Sequence, residues 1–266
     1  IPETDTATIQ INIDPSEIGR SYPVKVPLLG DAKVALSLLI EDLGRKVVKR
    51  PAWMSRVHQL VSAWRKKSTP MLKSNAEPIR PERLCQEISQ FLPGNAILVS
   101  DTGHAGIWTG TMIELTETGQ SYLRCAGSLG WAFPAALGAK CAAPDRPVIC
   151  FTGDGGFWYH MSELETAVRC GINTVTIVNN NRSLNQCQNE ADEFYGNYQG
   201  NREEIWVFSD INFAEIAESM GCLGIRVEHP QDLKKALQKA VGAEKPVVID
   251  VVSDIKAMAD LPYAPE

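Results

Sequence analysis

A glycine-rich turn, Gly153-Asp154-Gly155-Gly156, directly follows the apolar run 148–152. Such a run is typical of a buried strand in a parallel sheet, and a helix that starts after the turn offers free N–H groups to phosphate. The spacing does not fit the G-x-G-x-x-G dinucleotide fingerprint. The Asp154 carboxylate would repel a diphosphate unless a divalent cation lay between them and bound both. The turn therefore predicts a metal-bridged diphosphate site.

A second set of metal-ligand candidates is the run Asn179-Asn180-Asn181, which follows the apolar run 174–178. If the two strands are neighbours, they lie ~5 Å apart, so Asp154 and one of the asparagines can share a hard cation. Amide and carbonyl oxygens suit magnesium, which keeps positions for phosphate and water. Taken alone, each motif could be an ordinary turn or polar loop. Together, on consecutive strand ends, they favour a magnesium diphosphate site.

Strands and helices alternate from residue 78 onward, and these elements must position both motifs. The apolar patterns predict strands at 96–100, 148–152, 174–178, 225–227 and 247–252, and helices at 82–91, 131–142, 162–170, 213–220 and 231–241. This order predicts an α/β fold, a doubly wound parallel sheet with helices on both faces. Ligands bind such sheets at the carboxyl ends of the strands, where both motifs lie.

The preceding residues have a different pattern. A strand at 9–13 and a helix at 31–43 predict the remnant of a second α/β domain. Between Arg45 and Arg83 there are eleven Lys and Arg residues and two acidic ones, which fits either a solvated linker or contact with an anionic partner. We therefore predict a domain tail at 1–44, a basic linker with some helix at 45–77, and a cofactor-binding domain at 78–266.

The composition excludes several classes of protein. A net charge of −6 over 266 residues argues against a general nucleic-acid binder. The longest uncharged apolar stretch, 125–139, is shorter than the ~20 residues of a membrane helix, so no membrane association is expected. Seven cysteines without a C-x-x-C pair predict reduced thiols and a cytoplasmic location. The four scattered histidines argue against a zinc site.

The combination of Gly153-Asp154-Gly155 with Asn180-Asn181 resembles the thiamine diphosphate signature. The stretches 11–20 and 30–33 are similar to the end of the central domain in acetolactate synthase-like enzymes, and residues 78–252 resemble that family's C-terminal, diphosphate-binding domain. The resemblance implies a 2-keto acid decarboxylase or carboligase that depends on thiamine diphosphate and Mg²⁺. The alternatives are 2-hydroxyacyl-CoA lysis, dione hydrolysis, and a non-catalytic cofactor-binding subunit.

The resemblance also assigns roles to individual residues. Asp154 and Asn181 would ligate magnesium through side-chain oxygens, and Ser183 through its backbone carbonyl. His104 would contact the diphosphate, although a surface loop histidine is the alternative. The implied cofactor-binding residues are Gly103, His104, Gly127, Leu129, Gly153, Asp154, Gly155, Gly156, Asn181 and Ser183.

Two further positions are implied to act in catalysis. Gly127 and Leu129 lie in a turn that resembles the one holding the aminopyrimidine ring. Leu129 would force the cofactor into a V shape, and the Gly127 carbonyl would accept a hydrogen bond from its 4′-amino group. The bend brings that amino group beside the thiazolium C2, whose proton it can then remove. An ordinary core role is the alternative for Leu129.

One component of the family's site has no match in this sequence. In the family, the glutamate that protonates N1′ of the pyrimidine comes from a separate N-terminal domain of a neighbouring subunit. The resemblance therefore implies a partner chain or a missing N-terminal half, which the first residue, Ile1 rather than Met, also suggests. It implies a homo- or hetero-oligomer, either a dimer of active units or a tetramer, acting on a small keto acid. FAD binding is left undecided.

Overall fold

The computed structural model describes residues 5–44 and 49–259, apart from the side chains of residues 189 and 190. The described chain divides into two units, one up to Ala63 and one from Trp64 onward. The division lies inside a helix, α2, which spans Pro51–Leu72 within the stretch expected to be a basic linker. The domain boundaries at 44 and 77 stay predictions.

The first unit contains a two-stranded parallel sheet and a helix before α2. Strand β1 (Ile9–Asn12) pairs with β2 (Val26–Leu29), and helix α1 spans Ala32–Leu43. Helix α1 begins after Asp31, whose side chain accepts a hydrogen bond from the Val34 N–H and so satisfies one of the unpaired amides of the first turn. Strand β2 was not predicted, because its four residues include a proline and show no alternation.

The second unit carries the elements expected from residue 78 onward. Its strands are β3 (Ile97–Ser100), β4 (Ser121–Arg124), β5 (Val148–Gly153), β6 (Val175–Asn180), β7 (Leu223–Val227) and β8 (Val247–Val252). Its further helices are α3 (Pro81–Phe91), α4 (His104–Met112), α5 (Ala132–Ala142), α6 (Asp154–His160), α7 (Glu163–Arg169), α8 (Gln188–Tyr195), α9 (Phe213–Ser219) and α10 (Leu233–Val241). Every predicted strand and helix is present, with its ends within two residues of the expected positions.

The six strands of this unit form one parallel sheet in the order β4-β3-β5-β6-β8-β7. The predicted α/β fold with a doubly wound parallel sheet is confirmed. After β3 the chain moves to β4 on one side, whereas after β5 it moves to β6 on the other side. The loops that follow β3 and β5 therefore diverge and leave a crevice between them, the usual ligand site of such sheets.

Helices cover both faces of the sheet because successive strand residues point to opposite sides. One face buries Leu98, Ile149, Phe151, Ile177 and Ile249 against residues of α3, α4 and α10. The other face buries Val99, Cys150, Val178 and Val248 against residues of α5, α6, α7 and α9. Two hydrophobic cores thus hold the strand ends, and the loops that leave them, in place.

Strand β4 and helix α4 were not predicted. Strand β4 is an edge strand whose last two residues, Leu123 and Arg124, are exposed, so it lacks the apolar run that marked the central strands. Helix α4 contains Gly106 and Gly110, which weaken the helical signal, yet it packs the buried Trp108 against the sheet. In both elements tertiary packing outweighs local preference.

Within the described ranges, none of the helices has the length and apolar character needed to span a membrane.

Candidate cofactor-binding site

A pocket of about 320 Å³ lies beyond the carboxyl ends of β3, β5 and β6. All ten residues predicted to bind the cofactor line it: Gly103, His104, Gly127, Leu129, Gly153, Asp154, Gly155, Gly156, Asn181 and Ser183. The other lining residues are Thr102, Ala105, Asn179, Leu184, Asn185, Gln186 and Cys187. Folding therefore brings four separate segments of the chain to one place.

Strand register explains why these segments meet. Ser100 pairs with Phe151, so the loops after β3 and β5 start at nearly the same level of the sheet. Gly153 in turn pairs with Asn179, which places Asp154 beside the asparagine run. The hypothesis of neighbouring strands, on which the shared-cation prediction depended, is thus confirmed.

Asp154 lines the pocket and is only 2% exposed. Its Oδ1 accepts a hydrogen bond from the Gly155 N–H at 2.7 Å, and its Oδ2 accepts one from the Ser183 N–H at 3.0 Å. Burial raises the pKa of Asp154 to about 7, although the backbone hydrogen bonds act in the opposite direction. A nearby cation would favour the carboxylate and reverse this effect.

Of the three asparagines at the end of β6, two line the pocket and one points away from it. Asn179 and Asn181 line the pocket, and the Asn181 Oδ1 accepts a hydrogen bond from the Ser183 hydroxyl at 3.0 Å. The Asn180 amide instead donates to the Asp250 Oδ1 at 2.9 Å. The Asn179 Oδ1 is buried and has no hydrogen-bond partner among the described residues. Two asparagines are thus available to a ligand, while Asn180 fastens the loop to β8.

Two glycines of the pocket occupy positions that favour glycine. Gly155 lies in the first turn of α6, so the predicted glycine turn is the start of that helix, and a Cβ there would push against the Leu184 side chain of the loop after β6. Gly127 has a φ of 86°, in the left-handed region that glycine adopts without strain. Leu129 follows two residues later and is half-buried at the pocket edge.

Asp101 supports this turn, and the sequence interpretation assigned it no role. It is 1% exposed, and its Oδ1 accepts a hydrogen bond from the Gly130 N–H at 3.0 Å. Its Oδ2 accepts another from the Thr152 hydroxyl at 3.3 Å. The neighbouring Thr102 hydroxyl accepts a hydrogen bond from the Gly127 N–H at 3.0 Å. The sequence did contain a signal for this role. A carboxylate that directly follows a buried apolar strand must find buried hydrogen-bond donors.

His104 begins helix α4, directly after Gly103, which has a φ of 67°. Its ring Nδ1 lies 2.7 Å from the Asn185 Oδ1. Asn185 was not among the predicted site residues, since nothing in the sequence connects positions that are 81 residues apart. The structure therefore adds a polar neighbour to the histidine expected to contact the diphosphate.

The residue types in this pocket fit a diphosphate held by a hard divalent cation. A carboxylate, amide oxygens and backbone carbonyls are the donors that magnesium prefers. The unpartnered Asn179 Oδ1 shows that one buried polar group still lacks a hydrogen bond, which a ligand or a water molecule can supply. Backbone N–H groups and His104 on the remaining wall suit phosphate oxygens.

Comparison with known proteins assigns this domain to a family. Residues 101–251 match the profile of the family described as "Thiamine pyrophosphate enzyme, C-terminal TPP binding domain". That match covers more than half of the chain. The chain belongs to the thiamine pyrophosphate enzyme family.

Individual relatives within the family agree with the predicted resemblance. The chain is 31% identical to a probable acetolactate synthase large subunit of Methanococcus aeolicus over 94% of its own length and 43% of that protein. It is 32% identical to a probable acetolactate synthase large subunit of Methanocaldococcus jannaschii, over 92% and 42%. It is 26% identical to the acetolactate synthase isozyme 3 large subunit of Escherichia coli strain K12, over 94% and 44%.

The resemblance to acetolactate synthase-like thiamine diphosphate enzymes is confirmed, and the match supports thiamine diphosphate as the ligand of this domain. The chain spans less than half the length of these curated relatives. The roles of the individual pocket residues stay predictions.

Proposed function

We propose that this chain is the diphosphate-binding part of a thiamine diphosphate- and magnesium-dependent enzyme that decarboxylates or joins 2-keto acids. The observation that carries the proposal is the pocket in which Asp154, Asn181 and Ser183 meet the Gly127–Leu129 turn. The relatives named as acetolactate synthase large subunits support the choice of keto acids over other substrates of the same cofactor.

The metal would be held at the junction of β5 and β6. Asp154 and Asn181 would supply side-chain oxygens and Ser183 its backbone carbonyl, as the resemblance implies. The Ser183 N–H already donates to Asp154, so the β6 loop is held against the β5 turn before any metal binds. The resemblance implies that Gly155 and Gly156 bind the phosphate oxygens through their N–H groups. Because the Gly155 N–H already donates to Asp154, the Gly156 N–H and His104 would be the main phosphate donors.

The other end of the cofactor would lie against the turn that follows β4. The Gly127 carbonyl would accept a hydrogen bond from the pyrimidine amino group, and Leu129 would support the bent shape. When bound, the cofactor supplies a thiazolium ring that stabilises negative charge on the former carbonyl carbon of the substrate. The protein's part is to hold the two rings in the orientation in which the amino group can remove the C2 proton.

Full activity would also need the glutamate that protonates the pyrimidine. Among the described residues, no glutamate lines the pocket. We propose that a pyrimidine-binding domain provides it, from another chain or from a segment outside these 266 residues, in an oligomer. The larger size of the relatives is consistent with such a domain.

Calorimetric titration with thiamine diphosphate, with and without Mg²⁺, tests the proposal. We expect saturable binding that requires the metal. The variant Asp154→Ala should lose this binding while its circular dichroism spectrum stays unchanged, and Asp145→Ala, which removes an exposed carboxylate, should bind as the unmodified chain does. Metal-independent binding, or no binding at all, contradicts the proposal. Global unfolding of Asp154→Ala would indicate a structural role for that residue instead.

A further inference from the structure

The Asn185 side chain is held in one orientation by the backbone. It is 4% exposed, and its Nδ2 donates to the carbonyl oxygens of Ile255 at 3.2 Å and Ala257 at 3.1 Å. Carbonyl oxygens only accept hydrogen bonds, so the amide nitrogen must face them. The Asn185 Oδ1 therefore faces the other way, toward the His104 ring, with a separation of 2.7 Å from Nδ1.

This orientation determines which nitrogen of the imidazole carries the proton. An amide oxygen only accepts, so the His104 Nδ1 must be the donor. In the neutral ring, Nε2 is then unprotonated and can only accept a hydrogen bond. Nε2 becomes a donor when the ring takes up a second proton and turns into an imidazolium ion.

The pair lies where an anion is expected. Both residues line the pocket, and His104 is the first residue of α4, whose opening turn has no side-chain cap. Among the residues whose side chains the structure describes, the other ionisable groups that line the pocket are Asp154 and Cys187. Three segments meet at this pair: the start of α4, the loop after β6 and the segment that follows β8.

We propose that Asn185 is a positioning residue that fixes the His104 ring through Nδ1–H and directs its other edge to the diphosphate. The inference rests on the proposed function, because it needs a diphosphate in this pocket. With the anion bound, the ring carries a proton on both nitrogens, and the Nε2–H donates to a phosphate oxygen. A purely structural Asn185, which only joins the β6 loop to the segment after β8, is the competing interpretation.

Long-range ¹H–¹⁵N NMR of the cofactor-free chain tests the first half of the proposal, because the nitrogen shift separates protonated from unprotonated ring nitrogens. At a pH where the ring is neutral, we expect His104 to carry its proton on Nδ1. In Asn185→Ala the preference for this form should be lost. A proton on Nε2 in the unmodified chain overturns the proposal, and this measurement needs neither a variant nor the cofactor.

The same spectra, recorded with saturating thiamine diphosphate and Mg²⁺, test the second half. We expect His104 Nε2 to become protonated in the complex while Nδ1 stays protonated. An Nε2 that remains unprotonated in the complex contradicts its role as a donor to the diphosphate. If calorimetry detects no metal-dependent binding, the proposed function fails. The assignment of the Nδ1 proton is then still decided by the spectra of the cofactor-free chain.

A double-mutant cycle on the cofactor dissociation constant separates positioning from a structural role. We expect His104→Ala and Asn185→Ala each to weaken binding about tenfold, the effect of one lost charge-assisted hydrogen bond or its support. The double variant should bind no more weakly than His104→Ala, because Asn185 acts through the ring. If the loss of affinity in the double variant equals the product of the two single losses, the proposal is overturned. If Asn185→Ala fails to fold, Asn185→Ser takes its place in the cycle.

Discussion

Asp154 is subject to opposite demands from folding and from metal binding. Its carboxylate is almost fully buried, which raises its pKa to about 7 and makes the charged form unfavourable in the metal-free chain. The same carboxylate is the strongest ligand that the pocket offers to a cation. A residue with no binding role would be expected to avoid this cost, so its presence at the end of β5 favours a metal site.

This conflict predicts a particular dependence of stability on pH. The folded chain holds the Asp154 proton up to pH about 7, whereas the unfolded chain releases it near the ordinary aspartate pKa of 3.8. The contribution of Asp154 is therefore fully present below pH 3.8 and is lost as the pH rises toward 7, by up to ~4 kcal/mol.

Urea unfolding of the metal-free chain and of Asp154→Asn, at pH 5 and at pH 7.5, measures this contribution. As the pH rises, we expect the unmodified chain to lose about 1–3 kcal/mol of unfolding free energy relative to the variant. Taking the difference cancels the titration of the other groups, which both proteins share. An equal difference at both pH values would contradict the raised pKa.

At the scale of elements, the turn before α5 is held by β3 and β5 rather than by its own residues. The Asp101 carboxylate accepts hydrogen bonds from Gly130 and from Thr152, so it joins the end of β3 to the turn and to β5. The position of Gly127 and Leu129 relative to the pocket depends on this carboxylate.

The variant Asp101→Asn should loosen that turn, because an amide can accept fewer hydrogen bonds than a carboxylate. We expect faster hydrogen exchange at the Gly130 amide and about tenfold weaker binding of thiamine diphosphate, the effect of losing one hydrogen bond to a charged group. NMR exchange and calorimetry measure the two effects. Asp145→Asn, at an exposed carboxylate, is the matched control and should change neither. Unchanged exchange at Gly130 in Asp101→Asn would refute this role.

Another buried carboxylate fastens the loop after β6 to the sheet. Asp250, in β8, is fully buried and accepts hydrogen bonds from the Asn180 amide and from Arg226 at 2.9 Å each. It thereby joins β6 and β7, the two neighbours of β8. Arg226 also pairs with Asp210, which is 60% exposed, at 3.4 Å.

These two partners of Arg226 form a matched pair for mutation. Asp250→Ala should lower the unfolding free energy by about 3–5 kcal/mol, because it removes the buried acceptor shared by Arg226, the Asn180 amide and the Phe213 N–H. Asp210→Ala should lower it by less than ~1 kcal/mol, since that ion pair is exposed to water. Denaturant unfolding of both variants measures the effects. Similar losses in the two variants would show that burial does not decide the strength of these contacts.

For the molecule as a whole, the cofactor and the metal should act together on stability. Ligands that bind only the folded state raise its stability according to their concentration relative to the dissociation constant, by about 2.7 kcal/mol at a hundredfold excess. Thermal unfolding should therefore shift upward with thiamine diphosphate and Mg²⁺ together, and much less with either alone. An equal shift with the cofactor alone would argue against a metal-bridged diphosphate. The shift should be absent in Asp154→Ala.

Catalysis is expected to need more than these 266 residues. With pyruvate as the probe substrate, we expect the chain to bind the cofactor but to turn over slowly, since no described glutamate lines the pocket. Adding a pyrimidine-binding domain that carries the activating glutamate should restore turnover. A normal rate from the chain alone, measured by carbon dioxide release, would refute the need for that domain.

The α/β fold class and the diphosphate-binding motifs were readable from the sequence without the structure. Apolar runs such as 148–152 mark buried strands because both faces of a parallel sheet are covered, and the glycine turn and the asparagine run follow two of these strands. Those are local properties, readable from neighbouring residues. Strand β4 and helix α4 escaped prediction because their stability comes from packing and not from local preference.

Contacts between residues that are distant in the sequence became visible in the folded chain alone. Strand order placed the loops after β3 and β5 on either side of one crevice, and register placed Gly153 beside Asn179. The contacts of Asp101 with Gly130 and of His104 with Asn185 join segments with no pattern in common. Hydrogen bonds between such segments depend on where the strands end in space, which single-sequence periodicity does not encode.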